Sequence, residues 1–347
     1  MKIYLYSFIY SMSLYGISEF SDFVIDTKKI SIPCYENVFN PSIIQTDQGL
    51  LLSFRYCPYD RALPLFSEIG LVYIDKNFNP ISQPILLNMR EGSPAKPHKC
   101  EDARLFEFDK KYFIIFNDSQ DANLRKKDLR RDINLVELFC NSNRTFDVSK
   151  PLELRHYEDY ETTCWQKNWY PIPTEDALYL GYTISPHELI DVNFETGICK
   201  TEVKQNFDSS HWRYGQLRGG TPALPTTEGY LTFFHSSIGI STPNSLFNKF
   251  YCYFMGAMIL DKSPPHAIKK ISVKPINHPS FYDLHKKERK KVIFPGGFIF
   301  QGNDIFLVYG KDDREIWVAK LDKEGLLNSL IDVNLPEAPT DEFENDL

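Results

Sequence analysis

One unit recurs five times along this 347-residue chain without any strict repeat of letters. Each copy runs from polar residues into a short apolar stretch, turns at an acidic or Gly-containing step, and enters a second apolar stretch that ends in polar residues. The copies are NPSIIQTDQGLLLSFR (40–55), EDARLFEFDKKYFIIFND (101–118), KNWYPIPTEDALYLGYTI (167–184), GGTPALPTTEGYLTFFHS (219–236) and FPGGFIFQGNDIFLVYGK (294–311). Leu50, Tyr112, Leu178, Tyr230 and Ile305 open the second stretches, at spacings of 62, 66, 52 and 75 residues. Two apolar runs about a turn read as a β-hairpin, and each interval leaves room for two more strands. Recurrence on this scale predicts an all-β chain folded as a five-bladed β-propeller. No linker or charge block divides it, so residues 1–347 are expected to form one domain, with 336–347 a frayed acidic tail.

A hairpin puts its turn at one end and both open strand ends at the other. The polar residues flanking the five hairpins therefore share one end. Before the hairpins come Asn40, Glu101, Asp102, Arg104, Lys167, Asn168 and Arg218; after them come Arg55, Asn117, Asp118, His187, His235, Lys311, Asp312 and Asp313. In a radial arrangement these groups converge on one mouth of the central channel, which makes that mouth the expected site. Strand ends are also polar merely because loops are solvated. Against that, Asn40, Arg104 and Arg218 sit beside Pro, Ala and Gly rather than among other polar groups.

Connecting segments are read more coarsely. LVYIDKNFNPI (71–81) and LIDVNFETGICK (189–200) look like outer-strand pairs, and KDLRRDINLVELF (127–139) like a short inserted helix. EIWVAKLD (315–322) is expected to pair with the N-terminal segment and close the ring.

Composition narrows the partners. A net charge of −7 gives no footprint for nucleic acid or an anionic membrane. The basic clusters at 125–131 and 286–291 are read as solvated faces. Seven dispersed Cys without a CxxC pair suit reduced thiols and a cytoplasmic protein. The apolar, aromatic start MKIYLYSFIYSMSLYGIS leaves a signal peptide, and so a periplasmic or secreted protein, as the alternative. Oligomeric state stays open.

Acid-catalysed cleavage of a bond to oxygen needs a carboxyl group that delivers a proton to the leaving oxygen. Asp102 is the candidate general acid; Glu101 beside it would raise its pKa, and Arg104 would oppose that. The structural alternative is an Asp102–Arg104 salt bridge in a loop. Lys167, Arg218 and His235 make a second group, three potential cations suited to an oxyanion such as phosphate. Structurally, Arg218 would bridge blades and His235 would cap a strand. Asn40, Arg55, Glu101, Arg104, Asn168 and Asp313 are candidate ligands for sugar hydroxyls. Trp165, Trp169 and Tyr214 are candidate stacking faces, although aromatics near strands are commonly core. His187 reads equally as structural or as a substrate contact. No motif calls for a metal or organic cofactor.

The strings NPS (40–42), EDAR (101–104), KNW (167–169), RGGTPA (218–223), FFHS (233–236), FPGG (294–297) and YGKDD (309–313), in this order, resemble glycoside hydrolase family 130. That is the family of β-mannoside phosphorylases and β-1,2-mannosidases, and the resemblance spans roughly 40–320. It implies a five-bladed fold, Asp102 as an acid acting through a mannose hydroxyl, Lys167 and His235 with Arg218 around phosphate, and Asp313 on the mannose of the −1 subsite. It further implies a mannose-containing oligosaccharide or mannose 1-phosphate as partner, with inorganic phosphate as co-substrate. Ala103 stands where the family commonly has Pro, and Lys311 and Asp312 where it has small residues. The expected chemistry is inverting single displacement with phosphate as nucleophile. Alternatives are a water-using β-mannosidase with Glu161 or Asp118 as base, a mannosyltransferase, and a propeller that binds glycans without catalysis.

Overall fold

The computed structural model describes residues 19–58, 66–89, 99–118, 131–156, 166–241, 250–282 and 290–333. Almost everything regular in them is strand. In chain order these are β1 (Val24–Ile30), β2 (Val38–Thr46), β3 (Gly49–Tyr56), β4 (Glu68–Ile74), β5 (Ile85–Leu86), β6 (Glu101–Phe108), β7 (Lys111–Asp118) and β8 (Asp132–Cys140). There follow β9 (Phe146–Val148), β10 (Leu152–His156), β11 (Tyr170–Pro173), β12 (Leu178–Thr183), β13 (His187–Val192), β14 (Ile198–Gln205), β15 (Arg218–Gly219) and β16 (Leu224–Pro225). The last are β17 (Tyr230–Ile240), β18 (Phe250–Leu260), β19 (Ile268–Ile271), β20 (Lys290–Lys291), β21 (Ile293–Gln301), β22 (Asp304–Lys311), β23 (Glu315–Asp322) and β24 (Ile331–Asp332). Besides a 3-10 turn at Ser209–His211, one short α-helix, α1 (Lys323–Asn328), is capped by Asp322, whose carboxylate accepts the Gly325 N–H. No helix among the described residues is long and apolar enough to cross a membrane.

The strands pair into four sheets, of orders β2-β3-β4-β5, β6-β7-β8-β10-β14-β13-β12-β11, β15-β17-β18-β19-β24 and β21-β22-β23-β1, with β16 also on β17. In the second the parallel β10–β14 pair joins two antiparallel units, β6-β7-β8-β10 and β11-β12-β13-β14, so five antiparallel units follow one another along the chain. The fifth unit takes its outer strand from the N-terminal end of the chain, with Lys29 opposite Trp317 and Ile30 opposite Ile316. That is the N-terminal pairing expected for EIWVAKLD. The five hairpins fall where the sequence puts them, and the 189–200 pair forms β13 and β14. Two outer readings change. Residues 71–81 supply only β4, a turn and an isolated bridge from Ile74 to Pro80. The segment expected as a helix is a strand from Asp132 onward, because Ile133, Leu135, Val136 and Leu138 pack on both faces of a covered sheet. Residues 127–130 and the 336–347 tail lie outside the described residues.

Inner strands touch in cyclic order: β2 with β6, β6 with β11, β12 with β15, β17 with β21, and β21 with β2. The apolar clusters lie between neighbouring units, as faces of twisted sheets pack. One holds Leu51, Leu71, Leu105 and Val136 of the first and second units; another holds Leu52, Val72, Val308 and Val318 of the first and fifth. At the hairpin-turn end a cavity of about 500 Å³ is lined by Ile43, Phe106, Pro173, Leu224 and Phe298, one from each unit. The opposite, open end carries the polar residues.

Candidate active site

Several of these polar residues sit on backbone that ordinary strand geometry would not supply. The β2–β3 register shifts between Phe39 and Ser42, and the β6–β7 register between Glu101 and Arg104. Within these irregularities Asn40 has φ 46° and Asp102 has φ 55°. Asn168 (φ 62°) precedes β11, and Asp312 (57°) and Asp313 (52°) follow β22. Asn and Asp are the non-glycine residues that best tolerate this left-handed region. An extra residue in a strand re-aims its side chain, and here it turns Asn40 and Asp102 toward each other.

The Asn40 amide donates to Asp102 Oδ1 at 2.7 Å, and Arg55 Nη1 reaches the same oxygen at 3.2 Å. Arg55 Nη2 pairs with Glu101 Oε1 at 2.8 Å, while Lys167 Nζ (2.9 Å) and Arg131 converge on Glu101 Oε2. Asp102 is thus not bridged to Arg104, as one sequence reading had it. Burial pushes both carboxyls up, but the cations overcome it. Arg55 and Lys167, with the Asn40 amide, hold Asp102 below the usual aspartate range, against the opposing push of Glu101. Arg55, Lys167 and Arg131 hold Glu101 well below the usual glutamate range. The expectation that Glu101 would leave Asp102 with a raised pKa fails for this reason: both carboxylates share Arg55.

Arg104 is fully buried. Its guanidinium donates to the carbonyls of Gly219 (3.3 Å), Gly220 and Asp102 (3.1 Å), tying the second unit to the fourth beneath Asp102. Burial lowers its pKa to about 10, leaving it charged at neutral pH. Across from it, Arg218 and His235 are direct neighbours in the β15–β17 register. Arg218 is half-buried, and its guanidinium has no hydrogen-bond or ion-pair partner among the described residues. Burial, with Arg104 and Arg218 close by, pushes the His235 imidazole down to about 3. His235 is therefore neutral, and the three-cation reading is corrected to cations plus a neutral imidazole. Its Nδ1 is buried without a partner. Asp313 pairs with Lys290 at 2.7 Å and lies within the field of Arg55.

Among curated proteins none matches this sequence. The family model described as beta-1,4-mannooligosaccharide phosphorylase matches residues 14–332. The chain belongs to glycoside hydrolase family 130. Solved structures share this enzyme's fold at low identity. The β-1,2-mannobiose phosphorylase of Listeria innocua superposes with a TM-score of 0.58 at 15% identity, over 88% of this chain and 99% of that one. A mannose phosphorylase from Leishmania mexicana gives 0.58 at 12%, over 97% and 100%. A GDP-Man-dependent mannosyltransferase from the same organism gives 0.60 at 10%, over 91% and 94%.

In this family 130 enzyme several residues singled out in the sequence turn out to be scaffold. Trp169 is fully buried against Tyr182, and Tyr214 packs on Trp212 and Phe254, so neither offers a face to a sugar. His187 meets the His266 carbonyl at 3.0 Å between the third and fourth units, and burial holds it at about 4. Lys311 donates to the Ser280 carbonyl and lies over the Trp317 ring, and Asp312 accepts the Val292 N–H. The charges that depart from the family pattern at these two positions therefore hold the fifth unit. Asn117 donates to the Gln166 carbonyl, and Asp118 lies opposite Asp132. Glu161 and Trp165 lie outside the described residues.

Two cations at the candidate site were missed. Arg131, the last residue of the first basic cluster, is buried on Glu101, against the solvated reading; Lys290, next to last in the second, is exposed as that reading expects, yet pairs with Asp313. The signal was present as position: each is the last charge before, or at the start of, a strand.

Proposed function

We propose that the five units are the blades of one propeller domain and that the chain is an inverting β-mannoside phosphorylase. The observation carrying this reading is the charge pattern around Asp102. With the Lys290–Asp313 pair cancelling itself, Arg55, Arg131, Lys167 and Arg218 outnumber Glu101 and Asp102 in a chain whose net charge is −7. Such local excess attracts an anionic co-substrate. Phosphate held near Arg218, Lys167 and His235 would attack the anomeric carbon from the face opposite the leaving oxygen. The glycosidic C–O bond breaks as the new C–O–P bond forms. A proton passes from Asp102, through a mannose hydroxyl as the family resemblance implies, to the leaving oxygen.

Asp102 is ionised in the free protein. The charge of bound phosphate offsets the cations that depress it and returns it toward the protonated form needed for this step. Neutral His235 then serves as a hydrogen-bonding group, and the cations supply the charge. Asn40, Arg55 and Asp313 are the ligands for the mannose hydroxyls; Glu101 and Arg104 act one step back, as the anchor for Arg55 and Lys167 and as the floor. The same groups would also run the reaction from mannose 1-phosphate toward a mannoside.

The test is release of mannose 1-phosphate from β-1,2-mannobiose and from β-1,4-mannooligosaccharides, with and without phosphate, beside Asp102→Asn. Phosphate-dependent release that the variant loses is expected. Free mannose formed without phosphate would shift the assignment to a hydrolase. No turnover in either direction would leave a glycan-binding propeller.

A further inference from the structure

Lys290 enters the site from an unusual place. It lies on β20, which pairs in parallel with β18 of the fourth unit, Lys290 opposite Tyr251 and Lys291 opposite Cys252. Its side chain crosses to the fifth unit and donates to Asp313 Oδ2 at 2.7 Å. The ammonium also stands 5.0 Å from the centre of the Tyr253 ring, whose other neighbour is the His235 ring, 6.2 Å away and within 8° of parallel. Cation, phenol and imidazole thus form a column running from Asp313 down to His235.

Asp313 needs such a partner. It follows Asp312, and both have left-handed φ, which leaves its carboxylate on a short turn rather than on a strand. Asp312 is secured by exchanging hydrogen bonds with Val292: its N–H donates to the Val292 carbonyl at 2.9 Å, and its carboxylate accepts the Val292 N–H at 3.2 Å. The Asp313 side chain has its ion pair on Lys290 alone among the described residues. Arg55 acts on it through its field and is itself bonded to Glu101 and Asp102. A carboxylate that is to accept two vicinal sugar hydroxyls must be held in one rotamer, and a charge-assisted bond to a second element does this.

We propose that Lys290 is a positioning residue for the sugar: it fixes the Asp313 carboxylate and sets affinity for the mannosyl group without itself contacting phosphate. This rests on the reading of Asp313 as a mannose ligand. Because the fourth unit supplies Lys290 and the fifth supplies Asp313, the sugar subsite depends on how these two units meet.

Calorimetric binding of methyl β-mannoside and, separately, of inorganic phosphate tests it on wild type, Lys290→Met, Lys290→Arg, Asp313→Asn and the Lys290→Met/Asp313→Asn double variant. Thermal melts verify that each is folded. Lys290→Met should weaken mannoside binding about tenfold, the loss of one charge-assisted hydrogen bond. It should leave phosphate binding unchanged. Lys290→Arg should restore most of the affinity, and the double variant should be no weaker than Asp313→Asn alone. Unchanged mannoside affinity in Lys290→Met overturns the proposal, and so does a loss confined to phosphate. If Asp313→Asn binds mannoside normally while Lys290→Met does not, the role of Asp313 fails and the coupling with it. If wild type binds phosphate but no mannoside, the sugar-site reading itself is wrong.

Discussion

Asn40 and Asp102 lie on the inner strands of adjacent units, each at a left-handed position in a strand irregularity, joined by a 2.7 Å bond from amide to carboxylate. The bond fixes which oxygen of Asp102 is occupied. Arg55 uses the same oxygen, which in the proposed mechanism leaves Oδ2 for a substrate hydroxyl. Replacing Asn40 with Ala should lower kcat about 10- to 100-fold, the worth of a hydrogen bond to a charged group. It should also move the alkaline limb of the pH–rate profile upward, because Asp102 acts as the protonated acid and one group that depresses its pKa is gone. Asp102→Asn should lose about 10²- to 10⁴-fold. Steady-state rates on a mannoside with saturating phosphate measure both.

Gly310 explains why Asn40 stays where it is. A Cβ on Gly310 would meet Asn40 Oδ1 at 2.2 Å and its backbone nitrogen at 2.8 Å. Gly310→Ala should therefore push Asn40 off Asp102 and reproduce much of the Asn40→Ala defect, at a stability cost of about 1–3 kcal/mol. The decisive comparison is the double variant: kcat for Gly310→Ala/Asn40→Ala should match Asn40→Ala alone. Additive losses would mean that Gly310 acts elsewhere.

Arg55 offers a test in pH. It joins Glu101 and Asp102, and both carboxyls have folded pKa values below their unfolded ones. Groups shifted downward stabilise the fold above the unfolded pKa, near 4, and lose that contribution as pH falls through the folded values. Arg55→Met leaves two buried carboxylates undercompensated, a change worth about 3–5 kcal/mol at pH 7. Melting curves should show a large gap between wild type and variant at pH 7. The gap should narrow below pH 4, as the carboxyls in the variant take up protons. A gap that is constant down to pH 3 would rule out a charge origin.

How legible was this in the sequence? The hairpins were, because alternating apolar runs about Asp-Lys, Gly-Asn or Glu-Gly turns carry their own period. The convergence of Asn40, Arg55, Asp102 and Lys167 at open strand ends followed from hairpin geometry alone. What stayed hidden was pairing. That Asp102 would bond Arg55 and Asn40 rather than its chain neighbour Arg104 depends on the bulges, and one extra residue in a strand leaves no letter pattern. The Trp169 and Tyr214 readings failed because burial between units is a tertiary property. Arg131 was overlooked because a charge run looks the same whether its last member is solvated or folded inward, and Lys290 because no letter pattern shows that an exposed lysine reaches Asp313.

His235 gives a prediction with the opposite surface appearance, since a histidine in an anion site invites a positive charge. Burial, with Arg104 and Arg218 beside it, holds it at about 3. In the unfolded chain it titrates near 6.5. Between those values the unfolded state binds a proton that the native state refuses, so stability falls as pH drops below about 6.5 and goes on falling toward 3. Each pH unit in that window costs on the order of 1 kcal/mol. His187, held at about 4, adds a loss of the same sign, so the comparison must be between wild type and His235→Gln. The variant should lose less stability than wild type between pH 6.5 and 4.5, a window above the range in which Glu101 and Asp102 respond. Imidazole nitrogen shifts in NMR give the direct reading: His235 should stay neutral down to pH 5. Titration near 6.5 would falsify the assignment and restore His235 as a third cation for phosphate.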